Sequence, residues 1–126
     1  MKAKEHSVRF LNLVDDAKTR VQEIEPAEVI RRKKKGELLN LIDVREYKEF
    51  LDSHIEHSKH ISKGVLERDI HLHFRNENDE LILYCSGGYR SILAADNLQK
   101  MGYTNVWSMI DGFRGWKLAG GDICIT

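Results

Sequence analysis

The run Leu81-Ile82-Leu83-Tyr84 leads straight into Cys85-Ser86-Gly87-Gly88-Tyr89-Arg90-Ser91, and these eleven residues decide how the chain is read. Four unbroken apolar residues predict a strand buried on both faces of a parallel sheet. Beyond the loop, Ile92, Ala95, Leu98 and Met101 keep helical spacing. They predict a helix from about Arg90 to Met101 with one apolar face on that sheet, stopped at Gly102. Cys85 therefore stands where a strand ends and a helix begins. Backbone N–H groups converge at such a point, beside the positive end of the helix dipole. Gly87 and Gly88 let the backbone turn inward without a Cβ clash, as in anion-holding nests. A lone cysteine at a strand end is usually a small buried hydrophobe. In this field partial positive charge favours ionised sulfur, so Cys85 is expected to be a nucleophile.

Working outward, the flanking sequence alternates strand and helix. Leu11, Val14, Ala17, Val21 and Ile24 recur at helical intervals and predict a helix from about Val8 to Ile24, capped by Ser7 and docked on its own domain. Pro26 opens a second helix through Val29 and Ile30 to Gly36. Leu38 to Val44 predicts a strand, Glu46 to Leu51 a short helix, His60 and Ile61 a brief strand, and Val65 to Phe74 another helix. After the Arg90 helix come a strand over Val106 to Ile110 and a closing helix over Phe113 to Leu118. The chain divides into a helical extension over 1–25 and an α/β domain over 26–126. Such alternation implies an open, mostly parallel sheet with helices on both faces.

The whole chain has 126 residues, which suits one core of moderate size. Twenty basic and twenty acidic side chains cancel, so no global field draws nucleic acid or an anionic membrane. The basic run Arg31-Arg32-Lys33-Lys34-Lys35 ends a helix, where cations complement the dipole, and no aromatics interleave it. Neither nucleic acid nor a membrane is an expected partner. Met1-Lys2-Ala3-Lys4-Glu5-His6-Ser7 lacks the apolar stretch of a secretion signal, and no run approaches a membrane span. Cys85 and Cys124 make no disulfide framework, so a reducing cytoplasm is the expected location. His54, His57 and His60 recur every three residues, but that segment predicts a turn and strand, so no metal site is expected.

In open α/β sheets ligands bind beyond the carboxyl ends of the strands. Three strand ends carry polar or glycine residues here: Asp43-Val44-Arg45, Cys85-Ser86-Gly87 and Asp111-Gly112. All three are expected to line one mouth. Asp43 is read as structural; Arg45 either receives an anion or pairs with Glu46 or Glu49.

At these residues the chain resembles the single-domain rhodaneses, a family of thiosulfate and persulfide sulfurtransferases. Leu41-Ile42-Asp43-Val44-Arg45-Glu46 with Phe50 resembles the early family motif, and Cys85 to Ser91 its active-site loop. Gly102-Tyr103-Thr104-Asn105-Val106, Asp111-Gly112 and Trp116 with Ala119-Gly120 resemble its C-terminal signature. The chain departs at Ser53-His54-Ile55-Glu56-His57-Ser58, where His57 stands in place of a usual glycine and strain is expected. Asp111 likewise replaces the first glycine of a Gly-Gly pair.

The resemblance implies transfer of sulfane sulfur through a persulfide on Cys85, from a small sulfur-containing anion to a thiol, cyanide or a sulfur-carrier protein. Backbone N–H groups of Ser86 through Ser91 are expected to hold the charged terminal sulfur. The chemistry needs no metal, nucleotide or other cofactor. Arg90 either attracts the donor anion or braces the loop; Ser86 and Ser91 add hydroxyls, or Ser91 caps the helix; Tyr89 forms an aromatic lip or packs outward. Two rival classes are a non-catalytic interaction module and a cysteine phosphatase or arsenate reductase. The latter enzymes place five residues between cysteine and arginine, whereas Ser86, Gly87, Gly88 and Tyr89 make four.

Overall fold

The four apolar residues ahead of Cys85 form the middle strand of a five-stranded parallel sheet in the computed structural model of the protein, which describes residues 5–125. Met1 to Lys4 and Thr126, which close the two predicted extents, lie outside the described residues. In chain order the elements are α1 (Val8–Lys18), β1 (Gln22–Ile24), α2 (Pro26–Lys34), β2 (Leu41–Asp43), α3 (Tyr47–Asp52), β3 (Ser53–Ile55) and β4 (Lys59–His60). They continue with α4 (Lys63–His73), β5 (Leu81–Tyr84), α5 (Arg90–Lys100), β6 (Val106–Met109), α6 (Gly112–Leu118) and β7 (Ile123–Ile125). The sheet order is β1-β6-β5-β2-β4, and β3 pairs with β7 in a separate antiparallel ribbon.

The two-residue period of a strand divides the core. Leu81 and Leu83 of β5 face one layer with Ile92, Ala95 and Leu98 of α5, Leu66 and Ile70 of α4, and Val14 and Ala17 of α1. Ile82 and Tyr84 face the other layer, with Val29 of α2 and Phe113 and Trp116 of α6. Each β5 side chain is buried, and the one polar atom among them, the Tyr84 hydroxyl, is satisfied by the Ile55 N–H and Ser58 Oγ. Met101 departs from the expected face: it lies past the end of α5 and is exposed.

Ser7 caps α1 by accepting the Phe10 N–H at 3.1 Å. The helix docks on α5, where Arg20 donates Nε and Nη2 to the two carboxylate oxygens of Asp96 at 3.0 and 2.9 Å. The expected helix over Val8 to Ile24 ends early, at Lys18. Gln22–Ile24 instead becomes the edge strand β1, pairing in parallel with Trp107, Ser108 and Met109. Pro26 contributes to the change, because it disfavours helical backbone at the preceding residue, and Glu25 is extended. The strand expected over Leu38 to Val44 shortens to Leu41–Asp43, and Leu38 is fully exposed. The basic run is largely committed locally: Arg31 pairs with Glu28, Arg32 with Glu37 and Glu80, and Lys33 donates to the Glu56 carbonyl. Among the described residues no helix is long and apolar enough to cross a membrane.

Candidate active site

β5 delivers Cys85 at its carboxyl end, and α5 starts five residues later at Arg90. Gly88 turns the chain between them at φ +96°, a conformation that disfavours any side chain, and a Cβ there would stand 3.1 Å from the Asp111 nitrogen. That turn aims two backbone donors at the sulfur: the N–H of Gly88 lies 3.2 Å and that of Ser91 3.4 Å from Cys85 Sγ. The sequence pattern spread this role over Ser86 to Ser91; these two N–H groups are the ones that reach sulfur. The Ser91 hydroxyl lies 3.6 Å from Sγ and 2.7 Å from Ser108 Oγ on β6.

The loop is held from behind by α6. Phe113 N–H donates to the Cys85 carbonyl at 2.7 Å and Arg114 N–H to the Ser86 carbonyl at 3.1 Å. Gly112, at φ +51°, permits this approach, since a Cβ there would overlap the Cys85 carbonyl. Asp111 adopts the left-handed region at φ +59°, a backbone that the resemblance implied would be a glycine's.

Arg90 braces the loop. Its guanidinium donates to both Glu49 carboxylate oxygens at 2.9 and 3.1 Å, and to Ser86 Oγ at 3.1 Å. Ser86 Oγ donates in turn to Glu49 Oε2 at 2.9 Å. The hydrogen bond from Arg90, followed by that from Ser86, outweighs desolvation and lowers the Glu49 carboxyl from 4.5 to about 2. Glu49 itself is fixed in the first turn of α3, where its side chain accepts the Glu46 N–H at 3.1 Å in a capping box.

Cys85 is 1% exposed, at the floor of a cleft of about 750 Å³. The walls include Glu49, Tyr89, Arg90, Asp111 and Arg114, together with His6 and Phe10 from the N-terminal segment. Tyr89 forms a lip with that segment: its ring centroid is 5.2 Å from His6 and 6.2 Å from Phe10.

Two expected mouth residues are elsewhere. Asp43 and Arg45 are buried and pair with each other, Arg45 Nη2 donating to Asp43 Oδ2 at 2.8 Å and to the Ser53 carbonyl at 2.6 Å. Arg45 thus pairs with Asp43 and not with the Glu46 or Glu49 carboxylate. His54 and His60 turn ring nitrogens to the Phe50 and Arg45 carbonyls. His57 sits at φ +68°, the strained position expected where a glycine is usual. Cys124 lies in β7 opposite His54, and both cysteines are free thiols.

Sequence reasoning did not assign Glu49 to Arg90, and it gave no site role to His6, Phe10, Ser108 or Arg114. The Glu46–Glu49 capping spacing was the one local signal that Glu49 is held in a defined direction.

A cysteine cradled by N–H groups at a strand-to-helix turn, in a doubly covered parallel sheet, agrees with the match of the rhodanese-like domain profile to residues 25–119. The chain belongs to the rhodanese-like family. It is 39% identical over 80 residues to a Bacillus subtilis protein named "Putative sulfur carrier protein YrkF", covering 64% of this chain but only 42% of that one. It is 29% identical over 77 residues to thiosulfate sulfurtransferase GlpE of Coxiella burnetii, covering 61% of this chain and 70% of that one. A solved structure from Rhodopseudomonas palustris, described as a protein of unknown function and "Possible Tyrosine Phosphatase", superposes with a TM-score of 0.81 at 27% identity, over 98% of this chain and 100% of the other.

Proposed function

We propose that the protein is a sulfurtransferase that moves sulfane sulfur from thiosulfate or a persulfide donor to a thiol or cyanide through a persulfide on Cys85. The observation that carries this reading is the pair of N–H groups, Gly88 at 3.2 Å and Ser91 at 3.4 Å, aimed at Cys85 Sγ. In the first step the Cys85 thiolate attacks the outer sulfur of thiosulfate. The new S–S bond forms as the old one breaks, and sulfite leaves with the bonding pair. The charge now rests on the terminal sulfur of the cysteine persulfide. Cyanide or a thiolate then attacks that sulfur and carries it away, returning the Cys85 thiolate. Charge stays on sulfur or on the departing anion throughout, so preorganised N–H donors are the support the step needs. In this reading 26–126 is the sulfur-transferring domain, and the extension over 1–25 lends its sheet the edge strand β1.

The rival phosphatase reading draws on the description of the R. palustris protein. Two features favour sulfur instead: four residues separate Cys85 from Arg90, and the Arg90 guanidinium is engaged with Glu49 and Ser86. Incubation with thiosulfate and cyanide should release sulfite and thiocyanate, with negligible hydrolysis of an aryl phosphate. Mass spectrometry should place the added sulfur on the Cys85 peptide; Cys85→Ser should abolish transfer and Cys124→Ser should leave it intact. Sulfur on Cys124, or turnover by Cys85→Ser, would overturn the mechanism.

A further inference from the structure

The cleft holds two arginines, and their situations differ. Arg90 is paired with Glu49, so its charge is offset by a carboxylate and three of its N–H directions are occupied. Arg114, two residues beyond Gly112, has no ion-pair or side-chain hydrogen-bond partner among the described residues. Its guanidinium stands over the loop, with Nη1 and Nη2 3.9 and 4.0 Å from where a Cβ on Gly87 would lie. Its own N–H is tied to the Ser86 carbonyl at 3.1 Å, which fixes the root of the side chain beside the sulfur loop. Asp111 supplies the other carboxylate of the rim, and His6 packs on Phe10 and Tyr89 across the cleft.

We infer that Arg114, rather than Arg90, is the residue that captures the anionic end of the sulfur donor. This rests on the sulfur-transfer reading and assigns the binding group for its substrate. A donor approaching Cys85 brings at least one negative charge toward a thiolate, a repulsion that a fixed cation at the mouth relieves. Arg90 is poorly placed for that role, because Glu49 already offsets its charge and only two of its five N–H groups remain free. Arg114 can fill it, because its fork is unoccupied and planar, suited to two oxygens of a sulfonate-like group. Gly87, which carries no side chain, leaves the loop surface under that guanidinium open.

Kinetics and alkylation of the full chain in a Cys124→Ser background test the assignment. Arg114→Gln should raise the KM for thiosulfate about tenfold with kcat within about twofold, the scale of one charge-assisted contact. Arg114→Lys should recover part of that loss. An unchanged KM, or a fall in kcat alone, would overturn the role in capture. Cys85 is then alkylated with iodoacetate and with neutral iodoacetamide. Both need the same ionised sulfur, so the ratio of their rates reads charge at the mouth alone. The ratio should fall about fivefold in Arg114→Gln while the iodoacetamide rate holds. A falling ratio in a protein that turns over no sulfane donor would reject sulfur transfer and keep the anion site. A constant ratio in a protein that transfers sulfur would reject Arg114.

Discussion

β2 and β5 lie side by side in parallel, with Asp43 opposite Tyr84, and each is followed within six residues by an arginine. Their ends are nonetheless opposite in kind. At the end of β2, Arg45 folds back onto Asp43 and both side chains vanish from solvent, 5% and 0% exposed. At the end of β5, Arg90 reaches away to Glu49 on another element, and the cysteine beneath it opens onto a cleft. The residues immediately after each strand set the difference. Val44 and Arg45 are packed into the core, whereas Gly87 and Gly88 let the chain loop over its own sulfur. One end is a clamp and the other a cradle. The clamp serves the cradle, because α3, next in the chain after Arg45, carries Glu49 to Arg90.

The comparison breaks most readily at the clamp. Asp43→Ala strands a buried guanidinium and should destabilise the fold by about 3–5 kcal/mol in urea unfolding. Glu49→Ala, at the partly exposed pair, should cost about 1 kcal/mol or less. Equal losses would mean that the two strand ends are not different in kind. A smaller stability effect is expected at the joint between α6 and the cradle. Gly112→Ala drives a Cβ into the Cys85 carbonyl from a left-handed backbone, and should cost about 1–3 kcal/mol. It should depress sulfur transfer more than its thermal shift suggests, because the clash falls on the loop.

Arg90→Ala is expected to leave the fold nearly intact and lower kcat/KM about tenfold by freeing the loop. Arg90→Lys should restore part of that rate, since lysine lacks the fork that spans both Glu49 oxygens. Unchanged kinetics in both would show that backbone donors and α6 suffice. The finest effect is one of pH. The folded-state carboxyl of Glu49 lies at about 2, below its ordinary 4.5, so its contribution is fully present above about 4.5. It is lost progressively as pH falls from 4.5 toward 2. The gap in unfolding free energy between the parent protein and Glu49→Gln should therefore stay flat from neutral pH down to that range, then close. A gap that widens on acidification would contradict the assignment of Glu49 as the paired, ionised partner.

Local pattern made the cradle legible and left its supports hidden. β5, the glycine loop and α5 are contiguous, so periodicity and glycine placement located Cys85 before any contact was known. Glu49 is 41 residues from Arg90, and only the folded chain brings them together. At the first helix the pattern misled: Val21 and Ile24 extend the three-residue spacing, yet Val21 packs with α1 and Ile24 packs on the other face of the sheet. Spacing alone does not tell a helix that continues from one that gives way to a strand. Chain proximity offers Arg45 the downstream carboxylates of Glu46 and Glu49. On a strand, residues two apart share a face, so Asp43 was the partner that two-residue spacing offered.

Behind the sulfur, away from the cleft, Ser91 and Ser108 exchange a hydrogen bond at 2.7 Å in which either hydroxyl can donate. On the sulfur-transfer proposal Cys85 would pass between thiol, thiolate and persulfide, giving a hydrogen bond in one form and receiving in another. Hydroxyl protons rotate with no displacement of heavy atoms. The two serines are therefore a rotor beside Cys85, able to reverse polarity while the backbone N–H groups of Gly88 and Ser91 stay where they are. Replacing Ser108 by alanine would leave Cys85 Sγ as the remaining side-chain partner of the Ser91 hydroxyl.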